Sequence, residues 1–269
     1  NPDGSRFATT SDDATVRVWN LPDLPPGASP ITVTRSALTL SGHSGTVFDA
    51  AWSPDGGTLA TTGADKTIRL WDARTGELQT TLVGHEGNVL EADFSPDGKR
   101  LASAGADNQV IVWDLNTGQR RQTLTGHTGF VWDVEFDPGG SRLATASGDD
   151  TVRLWDLTTG EATIIPNERP ITGVAWNHAG TMLAYTSDDG TARLWDVETK
   201  QPAGTISGHN GGVWNVSWSP DDTRIATAAA DDQVRLFFTG FDSILALARQ
   251  YQTHTLTKEE LEFYLGGAE

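Results

Sequence analysis

The sequence predicts an all-β chain built as a β-propeller. Three observations carry that expectation: a fixed repeat, strand-length apolar runs inside it, and turn chemistry at constant offsets. An aromatic residue closes each of six similar segments, at Trp19, Trp71, Trp113, Trp155, Trp195 and Phe237, with spacings of 52, 42, 42, 40 and 42 residues. A Gly-His pair stands upstream in four of them, and its His43, His85, His127 and His209 each lie 28 residues before the closing aromatic. A period of this size marks stacked supersecondary units, because one such unit cannot bury its apolar face alone.

Within one period, Val47–Trp52, Leu59–Thr62, Thr67–Trp71 and Leu78–Leu82 are short runs rich in β-branched and aromatic residues, bounded by turn residues. Ser53-Pro54-Asp55-Gly56, repeated as Ser95-Pro96-Asp97-Gly98, is a turn: Pro fixes φ, Asp bonds its own backbone and Gly accepts a positive φ. Four strands per period make one propeller blade. The second strand is built of small residues, such as Ala60-Thr61-Thr62-Gly63 and Ala102-Ser103-Ala104-Gly105, suited to close packing between blades.

Composition narrows the function. With 36 acidic and 19 basic side chains the formal charge is −17, which argues against electrostatic capture of nucleic acid or an anionic membrane. Without any Cys there is no disulfide framework, thiolate metal site or cysteine nucleophile. No apolar run approaches the 18 or so residues of a membrane span. Of the 25 Asp residues, 14 belong to the repeat: six at the turn before the third strand, four after the closing Trp and four in the Pro-Asp turn. Much of the negative charge is therefore scaffold chemistry.

Gly-His, the Ser-Pro-Asp-Gly turn, the turn Asp and Trp-Asp in phase resemble the WD-repeat β-propellers, over residues 1–238. The resemblance implies that each sequence repeat supplies the last strand of one blade and three strands of the next. It also implies a buried hydrogen-bond network in each intact frame: His43, Thr61, Asp65 and Trp71; His85, Ser103, Asp107 and Trp113; His127, Thr145, Asp149 and Trp155; His209, Thr227 and Asp231. Read singly, each set looks like a hydrolytic triad. Recurrence in every blade makes it structural, since catalysis needs one constellation at one cleft, so no catalytic residue, metal or cofactor is expected. Six blades are visible, the first and last incomplete. The sequence is expected to continue upstream by roughly 20 residues for a six-bladed ring or roughly 60 for the commoner seven-bladed one.

Three departures stand out. A Pro-rich insertion over residues 21–36 is expected to form a loop between the third and fourth strands. The fifth frame carries Asn167 where a His is expected, and the sixth has Phe237-Phe238 for Trp-Asp. Over residues 239–269, helix-forming residues in Phe241–Arg249 and a capping box at Thr257-Lys258-Glu259-Glu260 predict a short helical tail. That tail resembles the end of large bacterial multidomain WD-repeat signalling proteins, in which the propeller follows a signalling NTPase of the STAND kind, a protease-like or a kinase module.

The aromatics outside the scaffold point to a binding face. Phe48, Leu90, Trp132 and Trp214 share the position five residues after the His, and Phe130 lies two before Trp132. Family geometry puts them on the top face as an apolar arc. One residue further, Asp49, Glu91 and Asp133 are expected to form an acidic ring near the channel mouth, suited to a Lys/Arg-rich segment. The sequence thus predicts a non-enzymatic interaction scaffold or sensor, binding a protein or peptide, with no nucleic acid or membrane partner and a cytoplasmic location. The alternative is a propeller hydrolase or lyase using the acidic channel mouth.

Overall fold

The computed structural model describes residues 1–22 and 32–239. The expected helical tail and the centre of the Pro-rich insertion lie outside the described residues. All regular structure in the described part is β-strand, arranged as six antiparallel sheets. Blade one holds β1 (Arg6–Thr10), β2 (Thr15–Asn20) and β3 (Leu38–Ser41). Blade two holds β4 (Val47–Trp52), β5 (Thr58–Gly63), β6 (Thr67–Asp72) and β7 (Leu78–Val83). Blade three holds β8 (Val89–Phe94), β9 (Arg100–Gly105), β10 (Val110–Asp114) and β11 (Gln119–Leu124). Blade four holds β12 (Val131–Phe136), β13 (Arg142–Ser147), β14 (Thr151–Asp156) and β15 (Ala162–Pro166). Blade five holds β16 (Ile171–Trp176), β17 (Met182–Ser187), β18 (Ala192–Asp196) and β19 (Gln201–Ile206). Blade six holds β20 (Val213–Trp218), β21 (Arg224–Ala229) and β22 (Val234–Phe238).

The offset between repeat and blade is visible in the pairing. β7 precedes the Gly84-His85 pair, yet it pairs with β6, placing Leu78 opposite Trp71. The insertion after Asn20 connects β2 to β3, which pair from Thr15–Ser41 to Val18–Leu38.

The core is a set of slabs between blades rather than one central cluster. Ile68, Leu70 and Leu82 of blade two pack with Val89, Phe94, Leu101, Ile111 and Trp113 of blade three. Equivalent clusters join blades three and four, four and five, one and two, and five and six. The small second strands sit in these slabs: Ala60 to Gly63 and Ala102 to Gly105 are fully buried. On the outer side of blade six, Val234 is 72% and Leu236 66% exposed, although their counterparts Ile68 and Leu70 are buried. No described blade covers that face.

The hairpin between second and third strands shows why its Asp recurs. The residue after each turn Asp has a positive φ: Ala14, Lys66, Asn108, Asp150, Gly190 and Asp232. The Asp carboxylate caps the turn by accepting the amide two residues on, as in Thr67 N–H to Asp65 (3.2 Å) and Thr151 N–H to Asp149 (3.1 Å). This local bond compensates a left-handed conformation that side-chain-bearing residues otherwise disfavour.

A candidate binding face at the channel mouth

Each intact frame carries a polar relay that joins the turn before its inner strand to its second and third strands. In blade four, His127 Nδ1 lies 2.8 Å from Asp149 Oδ2, and Nε2 lies 2.7 Å from Thr145 Oγ1. The Trp155 indole N–H donates to the same hydroxyl at 3.0 Å. A carboxylate can only accept, so Nδ1 carries the proton. Nε2 then accepts from the Thr145 hydroxyl, and that oxygen accepts from the indole. Burial pushes the His127 pKa down, consistent with this neutral tautomer.

Blades two and three repeat the relay through His43, Asp65, Thr61 and Trp71, and through His85, Asp107, Ser103 and Trp113. In blade six His209 bonds Asp231 at 3.0 Å and Thr227 at 2.8 Å, while Phe237 offers no indole. Each Asp also accepts the amide that follows the His, as in Thr128 N–H to Asp149 at 3.0 Å. Burial alone would raise the Asp149 pKa; bonds from Thr151, Thr128 and His127 outweigh it and hold the carboxyl at about 2.

Two frames deviate, each for a local reason. In blade five, Tyr185 occupies the hydroxyl position ten residues before Trp195, and its side chain is buried. The Trp195 indole N–H is buried with no acceptor among the described residues. Asn167 turns to Arg169 O (2.8 Å) and Ser187 Oγ (3.0 Å), and Asp189 turns to Arg193 (2.6 Å). In blade three, Ile111 stands where the other frames carry an Arg two residues before the closing aromatic. Arg120 of β11 fills the gap, donating to Gly84 O at 2.6 Å as Arg153 donates to Gly126 O at 2.8 Å. These guanidiniums explain the Gly of Gly-His: a Cβ at Gly84 would stand 2.6 Å from Arg120 Nη2.

The feature that shapes the top face is a β-bulge in every complete inner strand. The pairing register shifts between Val47 and Asp49, Val89 and Glu91, Val131 and Asp133, Ile171 and Gly173, and Val213 and Asn215. The skipped residue is Phe48, Leu90, Trp132, Thr172 or Trp214. A bulge leaves one residue unpaired and re-aims its side chain. Trp214 is accordingly 62% exposed, Phe130 48%, Trp132 41% and Phe48 38%, and Leu90 is half-buried. Phe130 and Trp132 meet edge to face, with ring centroids 5.5 Å apart. Phe48, Leu90, Trp132 and Trp214 thus share the bulge position and Phe130 packs on Trp132, while Thr172, the blade-five bulge residue that sequence reasoning missed, is half-buried and donates to Val213 O.

One residue beyond the bulge, Asp49, Glu91 and Asp133 line the channel, where Asp133 is buried and the other two are half-buried. They are joined by Asp93 and Glu135, two residues further along the same strands. The channel cavity of about 530 Å³ is lined by inner-strand residues of blades two to six, including Trp52, Trp176, Asn215, Ser217 and Trp218. The acids reach across to the next blade. Asp49 accepts from Ala92 N–H (3.2 Å), Asp93 from Phe136 N–H (2.7 Å), Asp133 from Val174 N–H (2.8 Å) and Glu135 from Trp176 N–H (2.7 Å). Blades five and six are joined differently, through Trp218 Nε1–H to Ala175 O at 3.0 Å and through Asp222 on His178 at 2.9 Å.

Among the described residues no group of acids and histidines could hold a metal ion, and no helix is long and apolar enough to cross a membrane.

Comparison with known proteins agrees with this geometry. The family model described as IFT122 first beta-propeller matches residues 46–256, and the WD domain, G-beta repeat matches residues 1–20. THO complex subunit 3 of Arabidopsis thaliana is 40% identical over 78 residues, 29% of this chain and 23% of that protein. The F-box-like/WD repeat-containing protein TBL1X of Mus musculus is 35% identical over 77 residues, 29% of this chain and 12% of that protein. Coronin-7 of Homo sapiens is 41% identical over 70 residues, 26% of this chain and 6% of that protein. The matched segments span less than a quarter of the length of each of these relatives. A repeat of constant period, six sheets with inter-blade cores and a family match over most of the sequence lead to one classification: the chain belongs to the IFT122 first beta-propeller family of WD-repeat β-propellers.

Proposed function

We propose that this propeller is a non-enzymatic protein–protein interaction scaffold whose top face binds a protein or peptide partner through Phe48, Leu90, Phe130, Trp132 and Trp214. One observation carries the reading: bulges in successive inner strands aim large apolar side chains at solvent on a rigid ring, where burial would favour turning them inward. Exposed aromatics clustered on a rigid scaffold have the composition of binding hot spots. The negative charge of the chain favours a partner segment rich in Lys or Arg over nucleic acid or an anionic membrane. The resemblance of the C-terminal sequence to bacterial signalling proteins extends the reading to a sensing or scaffolding part of a larger cytoplasmic protein. The alternative of a propeller hydrolase or lyase has less support, because two of the three acids it would use, Asp49 and Asp133, are occupied in bonds to neighbouring backbone.

The test is the double variant Trp132→Ala, Trp214→Ala in capture of partners from a peptide array. It should lose at least ~90% of the signal with Tm unchanged within about 2 °C, as surface substitutions usually leave stability alone. Retained capture, or a Tm loss of the size seen for a core Trp, would remove the top face from consideration.

A further inference from the structure

The turn that leads into each second strand follows one pattern in blades one to four. Its second residue is Pro and its fourth a Gly of positive φ: Pro2 and Gly4, Pro54 and Gly56, Pro96 and Gly98, Pro138 and Gly140. At successive junctions the Gly of one blade lies against the Pro of the blade before. A Cβ at Gly56, Gly98, Gly140 or Gly180 would stand 3.3–3.8 Å from Cδ of Pro2, Pro54, Pro96 or Pro138. The junction of blades five and six changes both partners. His178 stands in the Pro place and Asp222 in the Gly place.

The two changes fit each other. The His178 and Ala179 N–H groups donate to the Asp222 carboxylate at 2.9 and 3.1 Å, and His178 Nδ1 lies 2.9 Å from the same carboxylate. A Pro at 178 would have no N–H to give. Asp222 keeps the left-handed backbone of the Gly it replaces, with φ +56°, a conformation disfavoured for a residue with a Cβ. The bonds to blade five offset that strain. Neighbouring charges are engaged elsewhere: Asp221 accepts from Ser219 and Thr223, and Arg142 donates to Asp137 and to Gly180 O.

The rest of this junction is thinner than the others. Blades two, three and four each reach the next inner strand through a channel-wall carboxylate on a backbone amide. Blade five has Gly173 and Ala175 at those positions. The Trp218 indole N–H to Ala175 O and the Thr172 hydroxyl to Val213 O cross instead. In the slab, Ala192 stands where blades two to four carry Ile68, Val110 and Val152. Leu194 and Ile206 are half-buried, although their blade-four counterparts Leu154 and Ile165 are buried. Less apolar surface is therefore lost when this junction opens. The His178 side chain is 58% exposed, so releasing it returns its groups to water rather than stranding them in the interior.

We propose that the junction of blades five and six is the movable joint of the propeller, held shut by the His178–Asp222 latch. On release of the latch blade six parts from blade five as a unit, while blades two to four keep their carboxylate ties and full slabs. Such an opening is a local unfolding event of lower free energy than the global one. Blade six carries Trp214, and blades two to four carry Phe48, Leu90 and Trp132, so the joint also changes the spacing of the top-face side chains. That last consequence rests on the binding reading given above; the joint itself does not.

Amide exchange of the full chain, corrected for intrinsic rates, tests the joint. In the wild type β20 and β21 should be less protected than β12 and β13. Asp222→Ala removes the acceptor of the latch, and should speed exchange in β20 and β21 about tenfold while β8, β9, β12 and β13 stay within about twofold. The double variant His178→Pro, Asp222→Gly installs the pair used at the other junctions. It should return β20 and β21 to within about threefold of the wild-type rate. Equal acceleration of all blades in Asp222→Ala would overturn the proposal, because the latch would then support the whole ring. Unchanged exchange in blade six, or a double variant that opens as readily as Asp222→Ala, would overturn it too. So would wild-type β20 and β21 as protected as β12 and β13, a result that needs no variant to fold. None of these readouts involves a partner, so a failed top-face test leaves the joint standing, and the reverse holds.

Discussion

Trp113→Ala should lower the unfolding free energy by about 3–5 kcal/mol, the range for removing a buried Trp. Trp113 closes blade three and lies in the slab shared with Ile68, Leu70 and Leu82 of blade two. Three losses coincide at this residue. Its apolar area leaves the slab, a cavity opens between two blades that cannot collapse independently, and Ser103 Oγ loses the indole donor at 2.9 Å. Denaturant unfolding of the variant beside Trp214→Ala gives the comparison, because Trp214 is exposed and its removal should cost less than about 0.5 kcal/mol. Equal losses for the two tryptophans would mean that the slab is not where stability resides.

His127→Ala should cost about 1–3 kcal/mol, the desolvation penalty of buried polar groups left without partners. The substitution strips Asp149 of a donor and leaves the Thr145 hydroxyl with only Trp155 as a close partner. It should also change the pH dependence. Asp149, held at about 2 in the fold, contributes stability that is present above the unfolded pKa of about 4 and lost as pH falls through the folded value. The acid limb of the stability curve should therefore be shallower in His127→Ala between about pH 4 and 2. A cycle with Asp149→Asn isolates the pair. An additive double variant would show that the imidazole and carboxylate act independently.

Much of the fold was legible because every blade writes its own instructions locally. The constant 28-residue interval from His to aromatic, the Pro-Asp-Gly turn and the small second strand recur in phase, so errors in one frame are corrected by the next. The relay was legible for the same reason: the set His127, Thr145, Asp149 and Trp155 recurs at the same offsets in three other frames, with Ser103 for the Thr in one and Phe237 for the Trp in another. The second acidic row, Asp93 and Glu135, was not singled out from the sequence, because the bulge breaks the alternation of the inner strands. Buried Val131, Val134 and Phe136 lie three and then two residues apart, a spacing that a strand can satisfy only with one extra residue. That break in period was the available signal for the bulge at Trp132, for Thr172 in the frame without a His, and for the second acidic row at Asp93 and Glu135. The substitution of Arg120 for a missing guanidinium carried no such signal, since it comes from a different strand.

By itself the sequence determined the repeat, the strands, the turn chemistry and which side chains compose each buried relay, because these depend on offsets of a few residues within one blade. Only the tertiary structure decided what lies between blades. It set Asp49, Asp93, Asp133 and Glu135 on the backbone amides of the following blade and, among the described residues, left the Trp195 indole without an acceptor. These contacts join residues roughly 40 apart across a twisted junction, and their geometry depends on how one sheet seats against the next. The opening charge of −17 was correct as a number, but its most consequential members are folded into the channel wall, where the environment rather than the residue type decides whether they are charged at all.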